Sequence, residues 1–120
     1  MNNSETKLFV ESIKKELKDN LADGFHHIQT GRAGYIYYIE NEFVVPIMTE
    51  MSGSNEYNLL VSGELEYLSE KFDLKHSTSE IILTKERKRI QKLLIDWLSK
   101  QKIRHDLHSE EWRPDIDWRS

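Results

Sequence analysis

Apolar side chains recur every fourth position at Phe9, Ile13, Leu17 and Leu21, with Val10 widening the stripe and Lys14, Lys15, Glu16 and Lys18 falling mostly elsewhere. That period is one face of an α-helix and predicts a helix over residues 5–22. Asn3 or Ser4 is placed to cap its N-terminus, and Asp23-Gly24 supplies a stop. A second stripe, Ile90, Leu93, Leu94, Trp97 and Leu98, follows the spacing i, i+3, i+4, i+7, i+8 and is the strongest periodic signal in the chain. It predicts a helix from a Thr84 cap to Gln101.

Between the helices the pattern changes to strands. Residues 25–30 read as a first strand, and Gly31-Arg32-Ala33-Gly34 as a loop by its two glycines. Tyr35-Ile36-Tyr37-Tyr38-Ile39 is an aromatic and β-branched mixture that suits a pleated, half-buried surface. Glu40-Asn41-Glu42 turns the chain, and Phe43-Val44-Val45 opens a strand that reaches Met51. Pro46 has no N–H to give, which places it at a sheet edge or a bulge. Ser52-Gly53-Ser54-Asn55 turns again, and Tyr57 to Ser62 reads as a fourth strand ended by Gly63. Short loops in succession imply an antiparallel meander.

Residues 64–82 are less legible. Glu64-Leu65-Glu66-Tyr67-Leu68 fits an alternating strand or a helical turn, and residues 75–79 are polar and loop-like. Beyond the second helix, Ile103, His105 and Leu107 alternate with Arg104 and Asp106 as a short fifth strand. The expected class is α+β: a four- to five-stranded, mainly antiparallel sheet with an N-terminal and a C-terminal helix packed on one face. Phe9, Ile13, Leu17, Ile36, Val45, Leu60, Leu93, Leu94 and Trp97 are the expected core. Tyr35, Tyr37 and Ile39 alternate onto one face, where an exposed aromatic patch would favour an interaction role. Residues 1–107 form one domain and 108–120 a tail, in which Trp112, Ile116 and Trp118 sit among six charges. Two indoles have a large area to bury, so the tail is expected to fold back over the domain, with partner binding as the alternative.

Composition narrows the class. The 120 residues are 38% hydrophobic and 10% aromatic, richer in large rings than disordered chains usually are. With no cysteine, the chain has no disulfide, thiolate metal site or cysteine nucleophile. No basic, apolar leader follows Met1, and no apolar run approaches membrane-spanning length, so a soluble, cytoplasmic domain with no membrane partner is expected.

The net charge of −4 hides a strong asymmetry. Residues 40–73 carry eight carboxylates against Lys71 alone, a balance of −7, whereas residues 74–105 balance to +6. Lys85, Arg87, Lys88 and Arg89 crowd the first turns of the second helix, where the helix dipole disfavours cations by a few tenths of a kcal/mol each. Such a pattern calls for a tertiary acidic partner or an interaction surface. Lys85, Lys88, Arg89 and Lys92 share one face that phosphate would suit; the pI of 5.7 and the lack of Gly-aromatic ribonucleoprotein motifs argue against nucleic acid and leave a regulatory nucleic-acid binder using this face as an alternative.

Catalytic motifs are scarce. There is no Gly-x-Ser-x-Gly, and Gly31-Arg32-Ala33-Gly34 lacks the Lys-Ser/Thr of a phosphate loop. Paired carboxylates such as Glu64 and Glu66 suit hydrolysis only across a cleft, which a small meander hardly provides. His26 and His27 are adjacent and point to opposite strand faces. An enzymatic or metal-binding alternative therefore rests on His27, His105 and a nearby carboxylate, with no cofactor indicated.

The acidic centre supports a different role. Glu50, Glu56, Glu64, Glu66, Glu70 and Asp73 interleave with Tyr57 and Tyr67, a negative and aromatic surface suited to a basic protein. The order of helix, antiparallel strands, Glu50-Met51-Ser52-Gly53-Ser54, the helix ending Leu94-Ile95-Asp96-Trp97-Leu98 and the segment Ile103-Arg104-His105-Asp106-Leu107 resembles small bacterial immunity-type proteins. The resemblance covers residues 35–107 and carries no contact position. It implies a non-enzymatic inhibitor that neutralises a cognate toxin, such as a nuclease with a basic active site. A homodimer is left open.

Overall fold

The computed structural model describes residues 2–53 and 55–107, so the expectation for the 108–120 tail lies outside the described residues. The first helix, α1, spans Asn3–Glu16. Its cap is Asn2, one residue before the expected Asn3 or Ser4. The Glu5 N–H donates to the Asn2 side-chain oxygen at 2.8 Å, which satisfies one free donor of the first turn. The helix stops at Glu16, not at Ala22. Lys18 and Asp19 take left-handed φ values of 53° and 58°. Lys18 N–H then donates to Lys15 O at 3.1 Å and Asp19 N–H to Lys14 O at 2.9 Å, closing a Schellman motif. Leu17 is still buried and Leu21 packs on the same cluster, so the apolar spacing outlasts the helix.

Three strands follow as the expected meander: β1 (Gly24–Thr30), β2 (Ala33–Glu40) and β3 (Phe43–Met51). Gly34, expected in the loop, lies in the ladder opposite both Gln29 and Thr49. A Cβ there would fall 2.4 Å from the Ile28 carbonyl oxygen and 2.7 Å from Gln29 Oε1. The bare α-carbon lets Gln29 reach over β2 and accept from the Thr49 hydroxyl at 3.0 Å. The β2–β3 turn holds Asn41 and Glu42 at φ 51° and 65°, the signature of a type I′ hairpin.

Three short strands and a helix complete the fold: β4 (Leu59–Val61), β5 (Glu70–Asp73) after a 3₁₀ turn at Leu65–Tyr67, β6 (Ser79–Ile81) and α2 (Thr84–Lys100). The six-stranded sheet runs β1-β2-β3-β5-β6, and β4 also pairs with β3. β4 takes the Thr49–Met51 end of β3 and β5 takes Phe43 and Val44, so the two share one side of the strand. Pro46 is thus in an interior strand. Met51 N–H donates to Arg32 O, and antiparallel alternation then points the Pro46 nitrogen away from β2, into the gap between β4 and β5. No ladder partner there requires the missing N–H.

Residues 103–107 do not form the expected fifth strand. Their only pairing among the described residues is a single parallel bridge, His105 to Leu59. The Val61 N–H that would extend a ladder donates instead to the Asp106 side chain at 2.9 Å. α2 starts after Leu83, which gives no side-chain cap, so Thr84 opens the helix without capping it. Its C-terminus repeats the closure of α1. Lys102 sits at φ 58°, its N–H donates to Ser99 O, and Ile103 N–H donates to Leu98 O.

The helices lie on opposite faces of the sheet, which corrects the one-face expectation. Ile36, Tyr38, Val45 and Ile47 pack with Ile90, Leu94 and Leu98 of α2. Tyr37, Ile39, Val44 and Phe72 pack with Val10, Ile13 and Leu17 of α1. The unbroken run Tyr35–Ile39 is what a strand covered on both sides requires. Tyr37 and Ile39 are accordingly buried under α1 instead of forming an exposed patch. Two expected core residues are displaced by their neighbours: Leu60 is half-buried between Leu59 and Val61, and Leu93 is 38% exposed beside Leu94.

Candidate interaction surface

α1 is shorter than the sheet face it covers. Beyond Phe9 that face continues uncovered through Tyr35 of β2 and Pro46 and Met48 of β3 to Ser62, Ser69 and Glu70. These residues, with Tyr67 and Phe72, line an open groove of about 400 Å³. Period-two alternation sets its rim. Glu50 follows Met48 on the same face and stands opposite Leu60, and Glu70 stands opposite Ile81 of β6. Met48 is 61% exposed, Tyr67 59% and Ile81 74%. Apolar side chains left in water and edged by carboxylates make this face a candidate interaction site.

Of the residues picked from the sequence, Tyr67 and Glu70 line the groove and Glu50 is on its face. Glu66 is exposed in the 3₁₀ turn one position before Tyr67. Glu50, Glu66 and Glu70 form no ion pair with any described residue. Lys71, the one cation of the 40–73 segment, alternates to the other face. It lies 3.8 Å from Glu80 and 4.8 Å from the centre of the Phe43 ring. Glu64 opens the 3₁₀ turn half-buried, its carbonyl accepting from Tyr67 N–H at 2.9 Å. Exposed Glu56 and half-buried Tyr57 belong to the β3–β4 loop, away from the groove lining. Asp73 is elsewhere and engaged in a turn. Its carboxylate accepts from the Lys75 and His76 N–H groups at 2.8 and 2.9 Å and from His76 Nδ1 at 3.0 Å. The bond from the His76 backbone holds its carboxyl below the usual range.

Glu40, which the sequence places in a turn, ties that turn to α2. Arg89 of α2 binds both its oxygens, at 2.6 and 3.0 Å, and also binds Glu86. The Tyr38 hydroxyl donates to Glu40 at 2.8 Å. The guanidinium keeps the carboxyls of Glu40 and Glu86 below their ordinary range. Arg87 also turns into the fold, donating to Ile82 O at 2.7 Å and Leu65 O at 3.2 Å. The crowded cations of α2 are therefore half explained: the arginines have tertiary partners. Lys85 and Lys88 pair with no carboxylate among the described residues.

The histidine alternative is not assembled. His27 in β1 and His105 beyond β4 are separated by β2, β3 and β4, roughly 19 Å at the ordinary inter-strand spacing. His27 Nε2 lies 3.0 Å from Gln29 Oε1, and His105 Nδ1 accepts from Leu107 N–H at 3.1 Å. Among the described residues no group of three or more His, Asp or Glu is placed to hold a metal. Compared with known families, curated proteins and solved structures, the chain has no match.

Proposed function

We propose that the chain is a non-enzymatic protein-binding domain of the immunity or inhibitor type, which engages a basic partner such as a toxin nuclease. The supporting observation is the uncovered part of the α1 face, where Met48, Tyr67 and Ile81 stand in water with Glu50 and Glu70 on the same face and Glu66 exposed next to Tyr67, none of the three ion-paired among the described residues. The carboxylates steer a basic partner into encounter. Met48 and Tyr67 supply the desolvated contacts that carry affinity. The groove is shallow and open, a shape that receives a protruding side chain rather than enclosing a small substrate. We assign this action to the cytoplasm. Among the described residues no helix is long and apolar enough to cross a membrane.

The test is capture from the source lysate with the native chain and the Glu50→Gln/Glu66→Gln/Glu70→Gln variant side by side. A basic protein held in equal molar amount by the native chain and lost by the variant supports the reading. The same protein held equally by both sinks it.

A further inference from the structure

The strand order ends at β1 and at β6, and the two end strands are built differently. β6 is three residues long with Glu80 at its centre, the short and charged kind of edge that resists pairing with a neighbour. β1 is seven residues long and matched with β2 at every position from Gly24↔Ile39 to Thr30↔Ala33, without a bulge. It carries no carboxylate, lysine, arginine or proline.

The backbone groups of β1 divide by alternation. Gly31, at φ 67°, opens a two-residue turn, so Thr30 and Ala33 close the ladder as a hydrogen-bonded pair. Gly24, His26, Ile28 and Thr30 therefore bond to β2, and the Ile28 carbonyl oxygen beside Gly34 points the same way. Phe25, His27 and Gln29 turn their N–H and C=O groups outward, where no backbone group of the described residues meets them. The Gln29 side chain does not cover them, because it reaches Gly31 O and the Thr49 hydroxyl instead. On the α2 side Phe25 stacks on Trp97 at 5.3 Å, and both are only half-buried.

This outward set is symmetric about His27. Two copies of β1 laid antiparallel, His27 facing His27, bring Phe25 opposite Gln29 on either side, and each such pair exchanges two backbone bonds. The same register carries Asp23, just before the strand, to the Gly31-Arg32 turn of the second copy, at both ends of the ladder. Asp23 and Arg32 are exposed and ion-paired with no described residue. Parallel pairing would instead set Asp23 against Asp23 and Arg32 against Arg32.

We propose that β1 is a self-pairing edge. Two copies of the chain join antiparallel through Phe25, His27 and Gln29 into one continuous sheet, with Asp23 of each against Arg32 of the other. β1 does not line the groove on the α1 face, so this pairing stands or falls independently of the function proposed above.

The test is sedimentation of the full chain over a range of concentrations, with residue-resolved amide exchange at both ends of the range. The mass should rise from one chain to two. The Phe25, His27 and Gln29 amides should be open in the single chain and slowed about tenfold or more in the pair, while His26 and Ile28 stay protected in both. His27→Lys sets two cations face to face and should weaken association about fivefold or more. Asp23→Arg lies outside the strand and should weaken it about threefold, and adding Arg32→Asp should restore it. A one-chain mass at every concentration overturns the proposal. So does a pair in which the three amides stay open, or protection of them that is independent of concentration. A pair that Asp23→Arg leaves unweakened, or that Arg32→Asp does not rescue, overturns the antiparallel register.

Discussion

Arg89 of α2 and Glu40 at the end of β2 form a two-pronged ion pair, Nη2 to Oε1 at 2.6 Å and Nη1 to Oε2 at 3.0 Å. The pair fastens the helix to the sheet beside the β2–β3 turn, with Glu86 on the same guanidinium and Tyr38 on the same carboxylate. Removing the arginine leaves Glu40 and Glu86 facing each other. Both pair members are more than a third exposed, so solvent screening limits the loss in Arg89→Ala to about 1 kcal/mol in urea unfolding.

The pH dependence of that loss follows from the lowered carboxyls. The pair contributes fully above the unfolded carboxylate value of about 4.3 and is lost as pH falls through the lower folded values. The stability gap between native chain and Arg89→Ala should therefore close as pH falls below about 4. A gap of constant size from pH 6 to pH 2 contradicts the assignment.

Tyr37 is buried under α1 and donates to Glu16 at 3.2 Å. Burial first, and then Glu16, raises its phenol well above the ordinary value. The folded state keeps the neutral form, so this contribution is whole below about pH 10 and is lost as pH climbs beyond it. Ultraviolet titration of native protein and Tyr37→Phe should coincide until the chain unfolds in alkali. A phenolate absent from the variant but present near pH 10 in the native chain would show that Tyr37 is solvated.

Gly34 is required by a backbone atom, the Ile28 carbonyl, and not by a side chain able to move aside. Gly34→Ala should cost about 2 kcal/mol and lower Tm by about 10 °C. It should also break the reach of Gln29 to Thr49. An unchanged melting curve contradicts the close approach of β1 and β2 there.

Glu42 occupies a left-handed position that glycine takes without strain. Glu42→Gly should raise stability by about 0.5 kcal/mol after the added freedom of the unfolded chain is counted. The Leu74 N–H to Glu42 O bond, at 2.9 Å, uses only backbone and survives the change. A destabilised Glu42→Gly variant would mean that the Glu42 side chain contributes more than its turn costs.

The class, the β3 boundaries and the three-strand meander were legible because alternation and turn residues act locally. The helix ends were less so. Leu17 and Leu21 continue the stripe of α1 into a non-helical turn, and the left-handed residue that closes each helix is a lysine, not a glycine. The two-sided sheet was written in Tyr35–Ile39, whose continuous apolar run means cover on both faces, but alternation of one half of it concealed this. On the candidate surface, acid content pointed to Glu50, Glu66 and Glu70, and also to Asp73, which serves a turn. Charge along the chain does not reveal which side of a strand each carboxylate takes. The exposure of Met48 depends on where the N-terminal part of α1, at Phe9, ends along the sheet, which the apolar period of the helix does not state.

The central claim is that the uncovered part of the α1 face meets a basic partner through its acid rim. Its most direct test is the association rate of the captured partner as a function of ionic strength, for the native chain and for Glu50→Gln/Glu66→Gln/Glu70→Gln. The native rate should fall steeply with added salt. The variant should bind about tenfold or more slowly at low salt, with a nearly flat salt dependence. Equal rates and equal slopes for the two proteins would contradict the claim.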